Sequence, residues 1–202
     1  MEATAHWIAL VTVIGVPPAV LVWVIVHPLV RLWRRAGPAL TYLVVGSIGA
    51  IGVVCIDHWS GPLLRVRYGV RWPLVCLAVP LFLGSLYIAA RRWRLLTPRI
   101  MVGLPELSQG KGPGKLLTGG IYARIRNPRY VEIGLGLAAI ALFCNYLATY
   151  VLLVLYVPAI YLVVLLEERE LRQRFGEEYE RYCREVPRFV PRLSRRARGP
   201  HY

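Results

Sequence analysis

Long apolar blocks alternate with short Arg-rich connections, and that alternation decides what this chain can fold into. The apolar blocks cover about residues 7–29, 39–56, 72–90, 130–143 and 146–166. A helix that crosses a bilayer needs about 20 predominantly apolar residues, and all blocks except 130–143 come near that length. Hydrophobic residues make up 56% of the chain, above the roughly 45–50% of soluble domains. The chain is therefore read as an all-α, polytopic membrane protein with about five transmembrane helices and a cytoplasmic C-terminal helix. The N-terminus has no positive region before its first block, and that block is too long for a signal peptide. It is expected to remain as a helix.

The charge excess fits the same reading. Lys and Arg number 25 against 11 Asp and Glu, and the basic residues flank apolar blocks instead of forming a separate basic domain. That is positive-inside loop bias, not a nucleic-acid surface. Arg31, Arg34 and Arg35, then Arg91, Arg92 and Arg94, then Arg124, Arg126 and Arg129, and finally the tail from Arg192 all fall on one side of a five-span topology. This places the N-terminus outside and the C-terminus in the cytoplasm. Arg65, Arg67 and Arg71 oppose that assignment and are outvoted. Lys111 and Lys115 are the only lysines. Such Arg-heavy usage points to a GC-rich bacterial genome and hence to the inner membrane.

Within the blocks, Pro17 and Pro18 predict a kink in the first helix. Gly46, Gly49 and Gly52 recur at helical spacing, so a neighbour can approach the second helix closely. Only Cys144 and Asn145 separate the last two blocks, which predicts a tight helical hairpin. The chain divides into three N-terminal spans (1–96), a Gly- and Pro-rich polar loop (97–129), the hairpin (130–166) and a charged helix with a basic tail (167–202). Cys55, Cys76, Cys144 and Cys183 have no metal-ligand spacing. His6, His27, His58 and His201 form no cluster, and Asp57 lies at the opposite face. No metal is expected. No P-loop, G-x-G-x-x-G or nucleophile motif is present.

The polar residues that can do chemistry sit in two segments on the predicted cytoplasmic side. In the first, Gly119 and Gly120 let the backbone approach a ligand. Tyr122, Arg124, Arg126 and Tyr130 follow, with Asn127 suited to an N-cap and Pro128 to the first helical turn. A helix N-terminus beside Arg126 suits an anion such as a carboxylate. The same residues equally suit a juxtamembrane anchor. In the second, Glu167 and Glu168 end the last apolar block. Acidic residues oppose the dipole at a helix C-terminus, so the helix is expected to continue past them. They can hold a cation, pair with Arg124 or Arg126, or lie solvated. Together the segments offer what an amino-acid zwitterion needs, with aromatic rings for a sulfonium or a base.

The stretches KLLTGGIYARIRNPRY and EERELRQRFGEEYERYCREVPRFVP resemble the isoprenylcysteine carboxyl methyltransferase family and the related membrane phospholipid methyltransferases. The resemblance covers about residues 114–191. It implies S-adenosylmethionine-dependent methyl transfer to a lipid-like or small amphipathic acceptor, with residues 97–129 as the cofactor-binding loop. By the same resemblance, Lys115, Leu116 and Leu117 line the adenosine and Tyr122 packs on the cofactor. Arg126, Asn127, Pro128 and Tyr130 surround the methionine portion, with Arg126 and Asn127 at the reacting end. Glu167, with Glu168 beside it, holds the ammonium. The acceptor enters sideways from the membrane lipids. Two departures narrow this. Family members commonly carry His where this chain has Asn127, and Asn cannot serve as a base near neutral pH. The prenylcysteine enzymes carry an Arg where this chain has Val163. Both argue for an acceptor that is already deprotonated and is not a prenylcysteine. The alternatives are an NADPH-dependent reductase of the sterol-reductase type and a non-catalytic membrane scaffold.

Overall fold

A computed structural model describes residues 1–26, 30–95 and 116–192. Lys115, the loop before it from residue 96, His27 and the tail from residue 193 lie outside the described residues. The helices are α1 (Glu2–Val26), α2 (Val30–Leu63), α3 (Trp72–Trp93), α4 (Pro128–Cys144), α5 (Leu147–Phe175) and α6 (Glu177–Glu185). A 3-10 turn, Gly120–Ala123, precedes α4. Among the described residues, four spans are long and apolar enough to cross a membrane: Glu2–Val22, Ala39–Leu63, Trp72–Trp93 and Leu147–Phe175. Helix α4 has 17 residues, about 26 Å at 1.5 Å per residue. That falls just short of a hydrocarbon core of about 30 Å.

Helix α1 stays one helix through Pro17 and Pro18. The break lies in α2, where Gly37 has φ 81°, a backbone conformation open to glycine. Arg31, Arg34 and Arg35 thus belong to the first turns of α2, before that break. Thr41 Oγ1 donates to the Gly37 carbonyl at 2.8 Å, which satisfies an acceptor at the kink. Beyond it, α2 lies against α1 through small residues. A Cβ on Gly52 would stand 3.2 Å from Pro18 Cβ, and one on Gly49 would be 3.8 Å from Val22. The close approach expected from the glycine spacing is met at these two positions, while Gly46 faces open space.

Helices α3 and α4 form the most extensive helix–helix contact among the described residues. A Cβ on Gly136 would lie 3.3 Å from Ser85 Oγ, and one on Gly84 would lie 3.6 Å from Leu135. Ser85 Oγ donates to the Glu132 carbonyl at 2.9 Å. Arg92 grips Glu132 with Nε at 2.8 Å and Nη2 at 3.2 Å. This forked contact pins the end of α3 to the start of α4.

The α4–α5 hairpin turns at Asn145, whose φ of 55° caps α4 in the left-handed region, where Asn is tolerated. Its side chain donates to the Gly69 carbonyl at 2.7 Å and accepts from Tyr150 at 3.0 Å. Val70 N–H donates to Glu2 at 2.8 Å. The N-terminus, the 64–71 loop and the hairpin turn therefore meet at one end of the bundle. The 3-10 turn, the start of α4, the end of α5 and α6 gather at the other. A core of Tyr130, Leu137, Tyr156, Ile160, Val163 and Val164 joins α4 to α5, with Val16, Val20 and Val24 of α1 against it.

Candidate active site

Glu168 is the most closely held carboxylate among the described residues. It is 0% exposed and lies on α5, which continues past Glu167 and Glu168 as expected. Arg188 meets it with two bonds, Nε to Oε1 at 2.9 Å and Nη2 to Oε2 at 2.7 Å. Arg126 Nη2 stands 3.2 Å from Oε1 and Arg172 Nη2 3.6 Å from Oε2. A buried carboxylate needs such partners to offset its lost hydration. The bond to Glu168 pushes the Arg188 guanidinium well above its ordinary pKa. Arg126 is itself 9% exposed along its side chain, and its Nε–H is buried with no hydrogen-bond partner among the described residues.

The neighbouring carboxylate has a different environment. Consecutive helical residues point about 100° apart, so Glu167 faces α4 and accepts the Tyr130 hydroxyl through Oε1. Tyr156 donates to the Tyr130 carbonyl at 2.8 Å, which ties the first turn of α4 to α5. Asn127 stands at the N-cap position, as expected, but its side chain does not cap the helix. Its Nδ2 instead lies 3.5 Å from the Arg188 carbonyl, which its own backbone N–H also reaches at 3.2 Å. Arg126 N–H donates to the Pro187 carbonyl at 2.9 Å. The segment after α6 thus lies along the segment before α4.

Helix α6 completes this end. The Tyr182 hydroxyl donates to the Tyr122 carbonyl at 2.7 Å. Burial holds both phenols above their ordinary pKa. Leu116 is buried against Tyr179, Tyr182 and Val186. Leu117 is half-buried beside it, and Pro128 is buried at the start of α4. Below the charged groups, an apolar groove of about 400 Å³ is lined by Tyr130, Tyr156, Pro158, Ile160, Tyr161 and Phe189 among others. Tyr130 links the groove to Glu167. Val163 is fully buried in the α4–α5 core and offers no charge to a substrate.

The structure thus gathers Tyr122, Arg126, Asn127, Tyr130, Glu167 and Glu168 at one end of the bundle. Arg188 and Tyr182 were not singled out in the sequence. Arg188 had one signal: an Arg between Pro187 and apolar Phe189, with Pro191 beyond, cannot continue a helix and must run extended. Arg92 and Glu132 were missed because each looks like an ordinary residue of its own helix. Among the described residues no group of acidic, His and Cys side chains could hold a metal.

These features define an all-helical integral membrane protein whose polar site lies where α4, α5 and α6 meet. The sequence profile of the phospholipid methyltransferase family matches residues 74–178, more than half of the chain, and the chain belongs to that family. The match begins in α3, earlier than the motifs noted in the sequence, and ends before Arg188. It makes the protein a methyltransferase acting on a membrane substrate, and so sides with methyl transfer over the reductase and scaffold readings. Neither the curated proteins nor the solved structures gave a match.

Proposed function

We propose that the protein transfers a methyl group from S-adenosylmethionine to a lipid-like or small amphipathic acceptor at the cytoplasmic membrane surface. One observation carries this reading: Arg126, with a buried and uncommitted Nε–H, and Glu167, a carboxylate on the facing helix, flank the start of α4. That pairing fits the carboxylate and ammonium of an amino-acid moiety, and Tyr130 stands between the two helices. Bound S-adenosylmethionine supplies an electrophilic methyl, which passes to the acceptor while the S–C bonding electrons return to sulfur.

The residues contribute binding and orientation. Arg126 and the first turn of α4 hold negative charge. Glu167 holds positive charge, and Tyr130 fixes the carboxylate that does so. Tyr122 and Tyr182 shield the site from water. Asn127 can orient a group by hydrogen bonding but cannot remove its proton near neutral pH. This favours an acceptor that is already deprotonated, such as a carboxylate or a thiolate, with alignment supplying much of the acceleration. The apolar groove beside Tyr130 gives a hydrocarbon portion a route in from the bilayer. The Arg bias of the connections at this end supports a cytoplasmic location for it.

Calorimetry with S-adenosylmethionine and with S-adenosylhomocysteine on purified protein tests the reading. Arg126→Ala and Glu167→Ala are each expected to weaken binding about ten- to a hundredfold, the scale of a hydrogen bond to a charged group. Absence of binding, or binding indifferent to both substitutions, would falsify it.

A further inference from the structure

Arg188 follows α6, and its guanidinium occupies both oxygens of Glu168. Its remaining nitrogen donates to the Tyr161 hydroxyl at 3.3 Å, with the guanidinium 5.5 Å from that ring's centre. Arg126 reaches the same carboxylate through Nη2, at 3.2 Å. Arg188 therefore sets the orientation of Glu168, and Glu168 in turn sets the position of Arg126. Three guanidiniums face this one buried carboxylate, and Arg172 also pairs with Glu180 at 2.8 Å, so the cluster keeps one surplus positive charge. The unpartnered Nε–H of Arg126 lies within it. A buried donor without a partner is costly, and an incoming anion removes that cost.

We propose that Arg188 is a positioning residue for anion recognition, fixing Glu168 so that Arg126 keeps its Nε–H for the carboxylate of the S-adenosyl ligand. This rests on the cofactor reading given above. Arg188 does not itself touch the ligand. The forked grip on both oxygens is what matters, and a lysine cannot reproduce it.

The test compares S-adenosylmethionine with its decarboxylated form, which keeps the sulfonium and the ammonium and lacks only the carboxylate. Calorimetry on the full chain in detergent should show the wild type preferring the carboxylated ligand by about ten- to a hundredfold. Arg188→Gln should reduce that preference to about twofold or less, chiefly by weakening the carboxylated ligand. Arg188→Lys keeps a cation and should give an intermediate preference, and it carries the test if the Gln variant does not fold. Arg184→Gln, which removes an exposed cation of α6 outside the cluster, should leave the preference unchanged. If the folded Arg188 variant keeps the wild-type preference, or loses both ligands equally, Arg188 is merely structural and the proposal is overturned while the cofactor reading stands. If the wild type binds neither ligand, the cofactor reading falls and this inference goes with it.

Discussion

The Tyr182 hydroxyl donates to the Tyr122 carbonyl at 2.7 Å across 60 residues of sequence, joining α6 to the 3-10 turn that leads into α4. This bond brings a helix outside the apolar blocks onto the candidate site. Tyr182→Phe removes the donor and leaves the Tyr122 carbonyl short of a partner. A loss of about 1 kcal/mol is expected, read as a lower melting temperature in detergent. A variant that melts with the wild type would show that water replaces the hydroxyl.

Alkaline pH acts on the same helix. Burial is the main cause that holds the Tyr179 and Tyr182 phenols above their ordinary value of 10.0. The unfolded chain ionises these groups first, so the stability they contribute is complete below that value and is lost as pH rises above it. Denaturant midpoints measured from about pH 9 to about pH 11 should fall, and Tyr179→Phe should flatten part of the decline. A midpoint independent of pH across that window would contradict the burial of these phenols.

The Arg92–Glu132 contact offers a double-mutant test of the α3–α4 seam. Arg92→Glu and Glu132→Arg should each destabilise the protein by setting like charges together. The reversed pair should recover part of the loss, with a coupling of about 0.5–3 kcal/mol. Purely additive losses would mean the two side chains act independently.

Packing of α1 on α2 hangs on Gly52. Gly52→Leu places a branched side chain where even a Cβ comes within 3.2 Å of Pro18. Overpacking of this kind costs about 1–3 kcal/mol. Gly46→Leu, with nothing near it, is the control and should be tolerated. Equal behaviour of the two variants would refute the contact.

The parts of the structure readable in the sequence were those governed by local rules. Apolar run length gave the helices, glycine spacing gave the face of α2 that meets α1, and the pair Cys144 and Asn145 gave the hairpin. The dipole argument carried α5 past Glu167 and Glu168. What adjacent letters cannot reveal is direction: the two glutamates differ by one position yet serve different neighbours, Tyr130 for one and three arginines for the other. The N-cap reading of Asn127 is met in position but not in side-chain bonding, for a related reason. Its place at the start of α4 is local, but its amide turns toward the Arg188 carbonyl, a partner 61 positions away that no local pattern shows. Arg31, Arg34 and Arg35 read as a connection because charge signals an interface, although the helical backbone resumes before Gly37.

The carbonyls of Pro187 and Arg188 that receive the N–H groups of Arg126 and Asn127 also impose an order on biosynthesis. Residues 2–175, which hold α1 to α5, are synthesised before these carbonyls. A chain ended at that stage carries every long helix and still lacks the strap that holds Arg126 and Asn127 in place. The candidate site is thus completed only once residues 187 and 188 have been made, later than the long helices it stands on.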